Sequence, residues 1–138
     1  MEMKVVFPGG KRVDAVFSGF TIKTDQPENS GGGGTAPSPF DLFLASVGTC
    51  VGYYVLSFCQ ERGIPTGQAE LTMSTEKDTS TGMIGKIIIK IQLPPEFPSK
   101  YRQAVQKAAD LCAVKKHLQQ PPLFEISASI AAPVSKTA

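Results

Sequence analysis

The sequence predicts an α+β fold built on antiparallel sheet. Three observations lead there. Short β-patterned runs come in hairpin-like pairs separated by turns, not in the alternating strand–helix–strand units that build parallel sheet. The stretch Leu42 to Gln60 carries no charge and is far too long for a strand, which marks a buried helix. A second helical pattern, Ser99 to Leu111, follows the second hairpin, and a last β-patterned run follows that. The expected order is strands, helix, strands, helix, strand.

Val5-Val6-Phe7 reads as the first strand and Pro8-Gly9-Gly10 as its turn. Val13, Ala15 and Phe17 share one face of a second strand. Ser18-Gly19 turns again, and Phe20, Ile22 and Thr24 give a third, completing a small meander. Pro27 to Pro37 is a loop with four consecutive glycines, Gly31 to Gly34. A phosphate-binding loop needs Gly-Lys-Ser/Thr after its glycines, which is absent, so a mobile surface loop is expected. Ser38-Pro39-Phe40-Asp41 is a strong helix start: Ser38 can cap, Pro39 suits the first position and Asp41 sits where a capping-box acid belongs. The helix should run to about Arg62, where Gly63 and Pro65 stop it. Gln68 to Glu76 and Gly85 to Leu93 read as paired strands across a turn at Asp78 to Gly82. Pro94 to Pro98 breaks the pattern. In the second helix Tyr101, Val105, Ala108 and Cys112 share a stripe, and a short helical turn continues to about Leu118. Phe124, Ile126, Ala128 and Ile130 then alternate as a closing strand.

A chain of 138 residues suits one domain, residues 1–138. Its net charge of +2 is spread along the chain, without the basic stripe of a nucleic-acid binder. Three cysteines do not make a secreted disulfide framework, and Met1-Glu2-Met3-Lys4 leads into a strand with no signal-peptide core, so a reducing, cytoplasmic setting is expected. The uncharged helix approaches the roughly 20 residues that span a bilayer. Ser46, Gly48, Thr49, Gly52, Ser57 and two cysteines dilute it, and no basic cluster flanks it, so no membrane span is expected. A helix apolar nearly all round needs cover on several sides. Gly48 and Gly52, one turn apart, offer a groove for close approach by a helix of the same chain or of a second copy.

Chemistry must come from the thiols. At about 100° per residue, Cys50 and Cys59 point to nearly opposite sides of their helix and cannot bridge. An intramolecular pair would join Cys112 to one of them. Cys59, in Leu56-Ser57-Phe58-Cys59, reads as a small buried hydrophobe. Cys112 lies beside Lys115, Lys116 and a helix start, each of which would lower a thiol pKa; Cys50 has no cation nearby in sequence. His117, the single histidine, is badly spaced to share a helical face with Cys112 and reads as solvated or capping. With no acidic cluster beside it, zinc or iron is not expected.

The segment Ser38-Pro39-Phe40-Asp41-Leu42-Phe43-Leu44-Ala45-Ser46-Val47-Gly48-Thr49-Cys50 resembles the helix motif of the OsmC/Ohr superfamily, a proline-acid-leucine start leading to a Gly-x-Cys thiol. Cys112-Ala113-Val114-Lys115-Lys116, with Phe124-Glu125-Ile126 after it, is similar to the family's second motif, Cys-Pro-Val-Ser-Lys and a closing strand. The resemblance covers nearly the whole chain. It implies an intertwined homodimer with antiparallel sheets wrapped around two long central helices. It also implies a peroxidase for small organic hydroperoxides in oxidative-stress defence, with Cys50 the peroxidatic thiol and Cys112 the resolving one. A dithiol, typically lipoyl, would be the reductant, with no metal, haem or flavin. Departures are specific. The family glutamate after the motif proline is replaced by Phe40, with Asp41 one residue later. The activating arginine of the N-terminal hairpin is matched by Lys11-Arg12, making Arg12 the candidate. Ala113 stands where proline is usual. The alternative reading is a non-catalytic thiol sensor or a binder of hydrophobic ligands on the same fold.

Overall fold

The computed structural model describes residues 1–135. Strands β1 (Lys4–Gly9), β2 (Arg12–Phe17) and β3 (Phe20–Ile22) form an antiparallel meander in the order β1-β2-β3. Lys4 pairs with Val16 and Ala15 with Ile22, and a register shift between Val6 and Gly9 accompanies the tight turn. Gly9, Gly10 and Gly19 all have positive φ, which is why both turns of this meander hold glycine.

Helix α1 (Pro39–Gln60) starts as its sequence requires. The Asp41 amide donates to Ser38 Oγ at 3.2 Å, and the Ser38 amide donates back to the Asp41 carboxylate at 2.9 Å. At its other end Arg62 reaches back, donating to the Phe58 carbonyl at 3.0 Å, and its guanidinium lies 3.7 Å from the centre of the Phe58 ring. Gly63, at φ 63°, then turns the chain away. Strands β4 (Glu70–Lys77) and β5 (Ile84–Gln92) form a second antiparallel pair, with Leu71 opposite Ile91 and Met73 opposite Ile89. After a 3-10 turn at Ser99–Tyr101 come α2 (Arg102–Ala109) and α3 (Ala113–Gln119).

The core lies between α1, α2 and β4–β5. Val51, Val55, Phe58 and Cys59 of α1 meet Val105, Ala109 and Cys112, with Leu71, Ile89 and Ile91 of the sheet packed against them. Gly48 faces the second hairpin: a Cβ there would stand 3.8 Å from Met73 Sδ. That groove is filled by a strand of the same chain, whereas Gly52 opens onto free space.

Two expectations change. The glycine loop is not a loose surface segment. Asp25, 2% exposed, gathers it: its carboxylate accepts from the amides of Gln26 (2.8 Å), Gly33 (3.3 Å) and Thr35 (3.1 Å) and from the Thr35 hydroxyl (2.6 Å). These bonds hold the carboxyl down at about 2, against an ordinary value of 3.8, the Thr35 hydroxyl contributing most. Gly32 passes so close to the Gln26 carbonyl that a Cβ would lie 1.9 Å from its oxygen. The run Phe124 to Ile130 forms no strand; Phe124 is 83% and Ile126 94% exposed. A strand needs a neighbour's backbone, and among the described residues this run pairs with neither sheet. The meander packs extensively against no other element, leaving Phe7, 81% exposed, and Phe20 in the open.

Candidate active site

Cys50 sits in the middle of α1 on the side that faces α3. The chain leaves α2 at Ala109, turns through Asp110 and Leu111, and places Cys112 as the N-cap of α3, fully buried. This brings the two thiols together. The Cys112 thiol and the backbone amides of Val114 and Ala113 come close enough to Cys50 to favour its thiolate. Cys112 Sγ in turn accepts from the Lys115 amide at 3.4 Å, and the Lys115 ammonium closes an ion pair with Asp110 across the turn.

The pair is electrostatically unequal. The Val114 amide is the main influence lowering the Cys50 pKa, joined by the Cys112 and Ala113 donors, against a smaller opposing effect of burial. Burial pushes the Cys112 pKa up, and its donation to Cys50 pushes the same way. The sequence had pointed the activating groups at Cys112. The first turn of α3 acts on both sulfurs: the Val114 and Ala113 amides lower Cys50, and the Lys115 and Val114 amides lower Cys112, where burial outweighs them; the Lys115 charge is taken by Asp110. Ala113 has an N–H that proline would lack, so the departure at this position adds a donor to Cys50.

The other expected participants lie elsewhere. Asp41 is engaged with Ser38, whose bonds lower its pKa. Cys50 lies nine positions further on, about two and a half turns and about 13 Å along the same helix, so the two point to opposite sides. Arg12 stands exposed at the tip of the β1–β2 hairpin, donating to the Pro8 carbonyl at 3.3 Å. Among the described residues neither it nor Lys11 has an acidic ion-pair partner. Cys59 is sealed in the core and its pKa is raised by burial. His117 lies 2.7 Å from the Ala113 carbonyl within its own helix and does not meet a thiol. No three of His, Cys, Asp and Glu gather into a metal-binding group among the described residues.

A groove of about 1020 Å³ lies between the start of α1 and the second hairpin, lined by Phe40, Phe43 and Leu44 of α1, Met83 and Ile87 of the hairpin, and Leu118 of α3; neither thiol lines it. Phe43, seven residues before Cys50, lies nearly in line with it on the helix. The sequence did not single out this groove, nor Asp25. The signal for Asp25 was present: an aspartate directly before a Pro- and Gly-rich loop is a frequent acceptor for that loop's amides.

The family matching the chain is that of OsmC-like proteins, over residues 31–127, more than half of its length, and the chain belongs to it. Solved structures share the fold. An osmotic stress induced and detoxification response protein from Psychrobacter arcticus superposes with a TM-score of 0.69 at 24% identity, covering 83% of this chain and 85% of that one. An OsmC like protein from Mycoplasma pneumoniae gives 0.67 at 13% identity, covering 87% of each chain. An organic hydroperoxide resistance protein from Vibrio cholerae, with captopril in one of its active sites, gives 0.59 at 18% identity, covering 88% and 86%. No curated protein matches the chain in sequence.

Proposed function

We propose that the protein is a cytoplasmic, homodimeric thiol peroxidase that reduces small organic hydroperoxides in oxidative-stress defence. The observation that carries this is the juxtaposed Cys50–Cys112 pair, one thiol eased toward the thiolate and the other pushed toward the thiol. The Cys50 thiolate attacks the outer peroxide oxygen. The O–O bond breaks, the alkoxide leaves and takes a proton to become the alcohol, and Cys50 is oxidised to the sulfenic acid. Cys112 sulfur then attacks the Cys50 sulfur, hydroxide leaves as water with the Cys112 proton, and the disulfide forms. A dithiol, a lipoyl group in the simplest case, reduces it by two exchange steps and becomes a cyclic disulfide itself. Membership of a family whose fold is shared with organic hydroperoxide resistance proteins supports the reading.

Asp41 and Arg12 do not reach the Cys50 of their own chain, so a role for either requires a second copy. The exposed line Ala45, Thr49, Tyr53 and Leu56 on α1, the open space at Gly52, and the uncovered apolar meander are surfaces such a copy would cover. The test is consumption of cumene hydroperoxide by the reduced protein with dihydrolipoamide, with peptide mapping of the product. Turnover through a Cys50–Cys112 disulfide is expected; a Cys50→Ser variant that keeps full activity would sink the reading.

A second reading, a hydrophobic-ligand binder or thiol sensor, is favoured by Phe40. It stands where the family's acid belongs and lines the large apolar groove. It requires saturable uptake of an apolar fluorescent probe together with negligible peroxide turnover.

A further inference from the structure

We propose that the groove between α1 and α2 is where the reductant docks, and that its occupant is a short-chain dithiol ending in a carboxylate, which enters the disulfide at Cys50 and expels Cys112. This rests on the Cys50–Cys112 reading above and adds the side of entry, the order of exchange and the charge of the reductant.

The groove holds about 580 Å³, within the roughly 300–1,000 Å³ of small-ligand sites. Both of its walls lead toward the thiols. On α1 it is lined by Tyr54, Ser57 and Glu61, which stand four, seven and eleven residues beyond Cys50 and so continue its stripe of the helix. On the facing side Ala104, Ala108 and Leu111 follow at the same helical spacing, and Leu111 is the residue before Cys112. An apolar, aromatic end near the thiols suits a sulfur-bearing chain. The rim carries charge. Arg62 shares its charge with Glu61 at 3.5 Å, whereas Lys107 has no acidic partner among the described residues. An apolar slot that leads to a thiol pair and has an unneutralised ammonium on its wall fits a chain with sulfur at one end and an anion at the other. Tyr53, also on the wall, belongs to the exposed line of α1 that a second copy would cover, and it marks the boundary between that surface and the groove.

The order of exchange follows from access. Cys112 is fully buried in the core beside Val105 and Ala109, whereas Cys50 is partly exposed. A dithiol therefore meets the Cys50 sulfur first. Its thiolate attacks there, the S–S bond breaks, and the electron pair leaves on the Cys112 sulfur, which takes up a proton. The Lys115 amide, at 3.4 Å, already donates to that sulfur. The second thiol of the reductant gives up its proton, attacks the first, expels Cys50 as its thiolate and closes a cyclic disulfide. Both protein thiols are then reduced, the dithiol is oxidised and no further reactant is consumed.

The experiment oxidises the protein with diamide, which converts a thiol pair to a disulfide without peroxide, and verifies the Cys50–Cys112 bond by peptide mapping. Its reduction by dihydrolipoate, a carboxylate, and by neutral dihydrolipoamide is then followed at low salt and equal subsaturating concentration. Dihydrolipoate is expected to react about three- to fivefold faster, the worth of one exposed charge pair. Lys107→Gln should remove the preference and Lys107→Glu should invert it; a ratio of two rates on one protein is insensitive to a general loss of folded material. Ala104→Trp, which fills the groove, should slow both dithiols. A brief exposure to 3-mercaptopropionate, a monothiol that cannot finish the exchange, followed by acid quench and peptide mass spectrometry, should place the first adduct on Cys50. Equal rates for the two dithiols in the wild type, a ratio unmoved by Lys107→Glu, or a first adduct on Cys112 would overturn the proposal. So would a Lys107→Glu protein whose light-scattering mass falls from two chains to one, because the groove would then be covered by a second copy. Failure of diamide to join Cys50 to Cys112 would overturn this proposal together with the resolving role of Cys112. Absence of peroxide turnover would defeat only the peroxidase reading, because the disulfide is made and reduced without peroxide.

Discussion

Cys50 owes its character to amides, and amides leave no mark in a sequence. The helix start beside Cys112 does act on that sulfur, but burial outweighs it, and depth in the core is not written in the residues that flank a cysteine. The clearest check is Ala113→Pro. Proline is tolerated at the first position of a helix, so the substitution removes the N–H aimed at Cys50 and little else. Alkylation of Cys50 should then require higher pH than in the wild type, while Cys50 in the wild type should still be modified at lower pH than Cys112. Asp25 gives a second prediction with a definite sign. Its folded pKa is depressed, from 3.8 to about 2, so its contribution is complete above the unfolded value and is lost as pH falls through that window. Amide exchange at Gly33 and Thr35 should accelerate as pH falls from about 4 toward 2, beyond the intrinsic pH effect, and Asp25→Asn should abolish this excess.

The elements that sequence made readable are those whose ends are written in side chains. Ser38, Pro39 and Asp41 announce the start of α1, and the cap forms as spelled. Removing it by Ser38→Ala should cost about 0.5–2 kcal/mol in chemical denaturation. At the other end of α1, Phe58 packs against Tyr101, Phe97 and the Arg62 guanidinium, so Phe58→Ala should cost about 3–5 kcal/mol. The two misread segments share a cause. A β-pattern such as Phe124 to Ile130 says that a segment could join a sheet, but an edge must exist to receive it. A run of glycines says that backbone is free to bend, but only the buried Asp25 carboxylate decides how. The thiol pair was readable as two motifs, and its polarity was not.

At the scale of the molecule, the most conspicuous property is uncovered apolar surface: the meander, the stripe along α1 and residues 121–135. In the proposed dimer these faces cover one another, and light scattering should return about twice the 14.7 kDa chain mass. A Thr49→Lys/Tyr53→Lys variant, charged along the exposed line of α1, should shift that mass toward the single chain. The placement of the thiols has a mechanical consequence as well. Cys50 lies in the first half of the chain and Cys112 near its end, and a bond between them would staple α1 to α3 around the whole of β4, β5 and α2. Closing a loop of that length restricts the unfolded chain by an amount worth about 4 kcal/mol. The oxidised protein should therefore melt roughly 10 °C above the reduced one. Under the proposed chemistry the molecule would stiffen each time it met peroxide and relax when a dithiol freed it, carrying the record of its last turnover in its heat resistance.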